Sequence, residues 1–270
     1  MIDSPFRELP FPRYRLGLTE LLRAGHRPYT IHGLIEVDMT DALKTIHAYE
    51  QRTGDDLSMV AFIAYCLSRA IDADKQVQAF RTRGRLIVYD DVDVNIMIER
   101  EKHGRKIVAQ HVLRKAHQRG VLEMSQEIRE IQRTPVEEEP GLKLMNSYAR
   151  LPSLFRALIM RATFRNHRLL KKRGGTTVIT SVGMFGEGAG WGIPVSTMPL
   201  GLTLGGMEKK PAAVEDRIEL RNMLCVTISL DHMITDGAPA ARFTTRLKHL
   251  IETCSGLEFC KQEAAVHSEG

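Results

Sequence analysis

The sequence predicts a single domain of α/β (α+β) class, a mixed sheet with packed helices. Three observations lead there. Branched or alternating apolar stretches, such as "YTIHGLIEVDM" (29–39) and "NMLCVTISL" (222–230), read as strands. Stretches with helical spacing, such as "VLEMSQEIREIQR" (121–133), lie between them. The two kinds alternate along 270 residues without an internal repeat or a convincing linker, the pattern of one mixed domain.

Taken in order, "YRLGLTELLRAG" (14–25) is helical and stops at Gly25. The strand 29–39 is followed by "TDALKTIHAYEQRTG", with Thr40 as expected N-cap and Gly54 as the stop. Asp55 or Asp56 is expected to cap "LSMVAFIAYCLSRAI", a helix apolar almost all round and therefore buried. Residues 84–112 read as three strands, the last two joined by a hairpin at His103-Gly104. A helix over 121–133 leads into "PVEEEPGLK", a solvated loop. "GGTTVITSVGMFGEGAGWGIP" (174–194) is a strand and then a glycine-rich loop. "MPLGLTLGG", "RIEL" and "NMLCVTISL" are three further strands, and Ala238–Glu252 is the last helix. The folded core is expected over about 13–252, with 253–270 a mobile tail.

Composition narrows the function. The 38 basic and 33 acidic residues leave a net charge of +5, no nucleic-acid signature by itself but compatible with a phosphate- or carboxylate-bearing ligand. The four cysteines form no C-x-x-C pair, and the ten histidines show no H-x-x-x-H spacing, so no metal is expected. The N-terminus lacks a signal-peptide pattern, and the longest uncharged run, 57–68, is too short to span a bilayer. A cytoplasmic protein is expected.

The chemistry concentrates in "DHMITDG" (231–237). Asp236 could cap the last helix and His232 could be a packed core histidine. The same spacing also suits a general base. A strand end fixes the backbone of His232, the turn returns Asp236 towards it, and one ring nitrogen is left for substrate. Gly237 would let another backbone approach closely.

"VTISLDHMITDGAPAARF" (226–243) resembles the C-terminal signature of the 2-oxo acid dehydrogenase acyltransferases, the E2 catalytic domains, in the chloramphenicol acetyltransferase-like superfamily. "GGTTVITSVGMFG", "MPLGLTLGGMEKKP", "LIEVDMTDALK" and "DDVDVNIMI" extend the resemblance over about 13–252. It implies a two-layer sandwich, a homotrimer and transfer of an acyl group between coenzyme A and a thiol such as dihydrolipoyl. It implies His232 as base and Thr180 as hydroxyl donor to the oxyanion, with Ser181 as the fallback. Asp236 would hold the His232 loop by pairing with Arg13 or Arg15 near the N-terminus.

The chain departs from the pattern at Met233, at Thr197 and in the proline-free strand 104–112, which leaves the acyl group and acceptor open. No lipoyl or subunit-binding segment is recognised, so no covalent lipoyl group is expected on this chain. A catalytically weak trimeric scaffold that docks partners is the alternative reading. An apparent insertion, 148–173, places Arg161, Arg165, Arg168 and Lys172 on one helical face and Phe155, Leu158, Ala162 and Leu169 opposite. That face is a solvated surface, a phosphate-contacting surface for coenzyme A, or a membrane or partner surface.

Overall fold

A computed structural model describes residues 7–8, 15–27, 29–102, 105–134, 148, 150–182 and 188–260. The chain order is α1 (Arg15–Gly25), β1 (Thr30–Asp38), α2 (Thr40–Thr53), α3 (Met59–Asp72), β2 (Phe80–Thr82), β3 (Arg85–Ile87), β4 (Val94–Lys102) and β5 (Arg105–Leu113). It continues with α4 (Val121–Arg133), α5 (Ser153–Arg165), α6 (His167–Gly174), β6 (Thr177–Ser181), β7 (Leu200–Val214), β8 (Arg217–Asp231) and α7 (Gly237–Glu252). The expected class, a mixed sheet with packed helices in two layers, is what the chain adopts.

The six-stranded sheet runs β1-β8-β7-β6-β4-β5, and β2 with β3 forms a separate hairpin. β6 lies parallel to both neighbours; every other pair is antiparallel. Strand side chains alternate between faces. One face sends Val94, Ile96, Ile179, Leu202, Val226 and Ile228 into the core, where α3 contributes Phe62, Ile63 and Leu67 and α7 contributes Phe243 and Leu247. The other face carries Asn95, Thr180, Thr203, Thr227 and Ser229 at the intervening positions. Most of these polar residues are also buried; Thr227 is 0% and Ser229 1% exposed.

Several local expectations change. Thr40 does not cap α2; Met39 sits at that position, and the Thr40 hydroxyl accepts from the Asn222 amide on β8. Neither Asp55 nor Asp56 caps α3, because Ser58 does, accepting from the Ala61 amide. "RIEL" and "NMLCVTISL" are one strand, β8, since Arg221 is held by Asp38 and Asp41 and does not interrupt the ladder. Part of the expected tail is folded: Cys254, Leu257 and Cys260 are buried against the core. The loop 135–143 and the residues after 260 lie outside the described set.

The 148–173 segment breaks into two helices at Asn166, whose side chain caps α6 through the Arg168 and Leu169 amides. The expected basic face is exposed at Arg161, Arg165, Arg168 and Lys172, but the expected apolar side is not covered: Leu154, Phe155 and Leu158 are 67%, 56% and 55% exposed, while Arg156 and Thr163 are buried and Phe164 meets Gly25 of α1. No described helix is long and apolar enough to cross a membrane.

Three glycines bring the chain to the sheet. Gly175 has φ +72°, and a Cβ there would lie 2.5 Å from the Asp93 carbonyl oxygen. At Gly205 and Gly206 a Cβ would meet the carbonyl oxygens of Gly190 and Gly188. The loop after Gly188 therefore presses directly on β7, where the register shifts between Leu204 and Met207, and Gly206 donates to the Gly190 carbonyl at 2.8 Å.

Candidate active site

His232 stands one residue past the end of β8. Its amide donates to the Tyr29 carbonyl at 2.8 Å, which ties the turn to the start of β1. The turn is closed by the Ile234 and Thr235 amides, both donating to the Asp231 carbonyl. Nδ1 of His232 lies 3.2 Å from the Thr235 carbonyl oxygen. A carbonyl only accepts, so Nδ1 carries the proton and Nε2 presents its lone pair. The side chain is 48% exposed, so Nε2 is within reach of a ligand.

The aspartate that fixes this turn is Asp231. Its carboxylate receives Arg27 Nη1 at 2.5 Å and the Met233 amide at 3.0 Å, and its own amide donates to the Pro199 carbonyl. Arg27 also donates through Nε to the Thr197 carbonyl and through its amide to Ser196. Both partners are largely buried, with side chains 19% and 8% exposed. A guanidinium and a carboxylate that satisfy each other and the surrounding backbone hold a loop in one conformation.

Asp236, expected to pair with an arginine, has a side chain 88% exposed, and its contact in the chain is His232 Nδ1 at 3.8 Å. It occupies the N-cap position of α7 without a side-chain cap bond. Among the described residues it has no arginine partner. Arg15 lies on the exposed side of α1, and Arg13 lies outside the described residues. Gly237 opens α7, and a Cβ added to it would meet nothing within 4 Å in this chain.

Thr180 is near the end of β6, with its hydroxyl 3.1 Å from the Thr203 hydroxyl on β7. Thr203 in turn faces Thr227 across the β7–β8 ladder, which aligns three threonines across the polar face. Thr227 Oγ1 is buried without a hydrogen-bond partner. Ser181 is half-buried and points to the opposite face from Thr180.

The structure does not bring Thr180 and His232 together within one chain. Thr180 is level with Thr227, and His232 follows five residues further along the same strand direction. At about 3.3 Å per residue and about 4.8 Å per strand, they stand roughly 19 Å apart.

Arg27 was not legible in sequence, because its partner is 204 residues away. Asp231 was visible as the residue before the histidine, but nothing in its spacing distinguished it from Asp236 as the anchor. Among the described residues, no group of three or more His, Cys, Asp and Glu side chains is placed to hold a metal ion.

The layered sheet, with a histidine presented beyond an inner strand, has the fold of the solved acetyltransferase cores compared below. More narrowly, residues 145–258, which take in everything from α5 to α7, match the model of the 2-oxoacid dehydrogenases acyltransferase (catalytic domain) family. The dihydrolipoyllysine-residue acetyltransferase component of the pyruvate dehydrogenase complex of Zymomonas mobilis is 31% identical over 124 residues, 46% of this chain and 28% of that protein. The chain thus spans less than a third of that relative's length. Among solved structures, a probable dihydrolipoamide acetyltransferase from Listeria monocytogenes superimposes with a TM-score of 0.68 at 21% identity, covering 93% of this chain and 96% of that one. The Azotobacter vinelandii dihydrolipoamide acetyltransferase, in which the catalytic roles of a serine, a histidine and an asparagine were investigated, gives 0.67 at 20% identity, covering 94% and 95%.

Proposed function

We propose that the chain is a coenzyme A-dependent acyltransferase that moves an acyl group between two thiols, with His232 as base and Thr180 as oxyanion donor. The observation that carries the reading is the Nδ1–Thr235 contact, which leaves Nε2 of His232 as the acceptor at an exposed strand end. Nε2 takes the proton of the acceptor thiol, and the thiolate attacks the thioester carbonyl. The carbonyl oxygen becomes an oxyanion and accepts a hydrogen bond from the Thr180 hydroxyl. Thr203 can donate to Thr180 in the same arrangement and so orient its proton outwards. Collapse of the intermediate expels the second thiolate, which recovers the proton from the imidazolium.

Sequence spacing supports the pairing. The serine and histidine investigated in the Azotobacter vinelandii enzyme are separated by as many residues as Thr180 and His232, and its asparagine follows its histidine by four, as Asp236 follows His232. A dihydrolipoyl group is the thiol that the relatives' names suggest. The distance between Thr180 and His232 in one chain requires that the hydroxyl come from a neighbouring copy. A homotrimer, the family's unit, supplies one, and trimers can assemble further.

A subunit-mixing assay tests this. His232→Ala and Thr180→Val homomers are each expected to be inactive with acetyl-CoA and dihydrolipoamide. Unfolded together and refolded together, they should regain activity, because some interfaces then join an intact histidine to an intact threonine. Two active homomers would point to a scaffold whose thiol exchange is uncatalysed by these groups. Inactive homomers with no recovery on mixing would place both residues in one subunit's site and remove the shared interface.

A further inference from the structure

Helix α5 buries a cation and exposes its apolar side chains. Arg156 points inward, where its Nη1 donates to the Leu151 carbonyl at 2.5 Å, and Thr163 is buried two turns further along the same face. This rotation turns Leu154, Phe155, Leu158 and Ile159 outward, with Leu151 exposed just ahead of them. On α1, the helix packed against α5, Leu18 is exposed as well. Single exposed apolar side chains are ordinary, whereas several on consecutive turns of one helix mark a contact surface.

The exposed charges of α1, α5 and α6 all have one sign. Arg161 and Arg165 continue the row of Leu154 and Leu158 by steps of three and four residues, so they stand on the same side of α5. Arg168 and Lys172 of α6 and Arg15 and Arg23 of α1 are exposed too. Glu20 is the one carboxylate in these three helices, and it is buried.

This pairing of apolar and cationic groups selects the occupant. A second copy meeting the face with its own would set arginine against arginine. A protein partner of another kind offers both signs, and hydrogen-bonding groups in fixed places. A surface of one sign spread over three helices instead fits a ligand that is itself uniformly negative and that takes apolar side chains in any arrangement. An anionic lipid bilayer has both properties: its headgroup phosphates meet guanidinium and ammonium groups, and its acyl chains begin just beneath. At 13 residues α5 is too short to cross a bilayer, so it would lie along the surface.

We propose that α1, α5 and α6 dock the protein reversibly on an anionic lipid bilayer, with Leu154, Phe155 and Leu158 inserted among the headgroups and Arg161 and Arg165 on the lipid phosphates. The proposal rests on this surface alone and is independent of the acyl-transfer reading.

Co-sedimentation of the full chain with vesicles tests it, using phosphatidylcholine alone and phosphatidylcholine with phosphatidylglycerol in equal parts. The wild type should partition onto the anionic vesicles at least about tenfold more strongly than onto the neutral ones, and raised salt should weaken that binding. The variants Leu154→Ala/Phe155→Ala/Leu158→Ala and Arg161→Gln/Arg165→Gln change exposed side chains, and each should lower binding to anionic vesicles about tenfold or more. Light scattering should give all three proteins the same assembly mass. Equal partitioning onto both vesicles, or onto neither, overturns the proposal, as does undiminished binding by the apolar variant. If the arginine variant alone loses binding, charge acts without insertion, as it would towards an acidic protein, and the lipid surface is wrong. A smaller assembly in the apolar variant assigns the face to a neighbouring copy and overturns the proposal as well.

Discussion

The two faces of the six-stranded sheet are both largely buried, but they are built from different chemistry. The helix-covered face is apolar at successive positions, from Ile96 through Ile179 and Leu202 to Ile228. The opposite face sets Asn95, Thr180, Thr203, Thr227 and Ser229 in the alternate positions, and leaves Asn95 Oδ1 and Thr227 Oγ1 without partners among the described residues. Burying a hydroxyl without a hydrogen bond costs about 1–3 kcal/mol. Such a face adds little stability. On the proposed reading it holds the polar groups that the reaction uses, and stability and chemistry are then divided between the two sides of the same strands.

The sharpest division should come from changing the two faces separately. Phe62→Ala, on α3 under the apolar face, should cost about 3–5 kcal/mol of stability, read by denaturant unfolding, while the folded fraction keeps its kcat. Thr180→Val, on the polar face, should leave the melting temperature nearly unchanged and lower kcat by about 10²–10³, or roughly 2.7–4 kcal/mol of barrier. If Thr180→Val instead unfolds the protein at full specific activity, the two faces share the structural task and the division is wrong.

Arg27 holds the turn that bears His232, so its replacement should move both readouts. Arg27→Met leaves the buried Asp231 carboxylate unpaired at a cost of about 3 kcal/mol, and the released turn should lower kcat as well. A stability loss with no change in kcat would show that the turn does not position His232.

Asp93 sharpens the comparison through pH. Burial pushes its carboxyl up, but the bonds from Lys171, the Lys115 amide and Arg114 outweigh burial and hold it below its ordinary value of 3.8. A carboxyl depressed in the folded state stabilises above the unfolded value and loses that contribution as pH falls through the folded one. Asp93→Asn should therefore be less stable than wild type near neutral pH by about 2 kcal/mol. Urea titrations should show that gap closing below about pH 4. A gap that persists in acid would assign it to geometry and not to charge.

The smallest effect is expected at Asp236. Its side chain is exposed and forms no cap bond, so Asp236→Asn should change stability by less than about 0.5 kcal/mol. Any loss of kcat without loss of stability would then report its proximity to His232, or a contact made by the neighbouring copy.

The apolar face was legible in sequence because burial imposes a period that a single strand or helix records. His232, Asp236 and Thr180 were legible as candidates through the order of their segments. What holds them was not. The Arg27–Asp231 pair joins positions whose proximity only the β1–β8 pairing creates. The caps of α2 and α3 were misassigned because several polar residues stood within reach of each helix start, and tertiary contacts decided among them; the Asn222 amide claimed the Thr40 hydroxyl. The division of β8 into two strands failed for a related reason. Arg221 looks like an interruption until Asp38 and Asp41, nearly two hundred residues earlier, are seen to complete it.

The pairing of β1 with β8 also sets a timetable for synthesis. Among the described residues β1 stands at the sheet's edge and pairs with β8, and the residues that complete the pair follow about 190 positions later. At about 5–20 residues per second, a nascent chain carries an unpaired β1 for roughly ten to forty seconds. The turn bearing His232 is closed by the Tyr29 carbonyl and by Arg27, so it can form only after that wait. A ribosome that stops before β8 releases a chain with an open strand edge and no His232 turn, a target for chaperones and proteases.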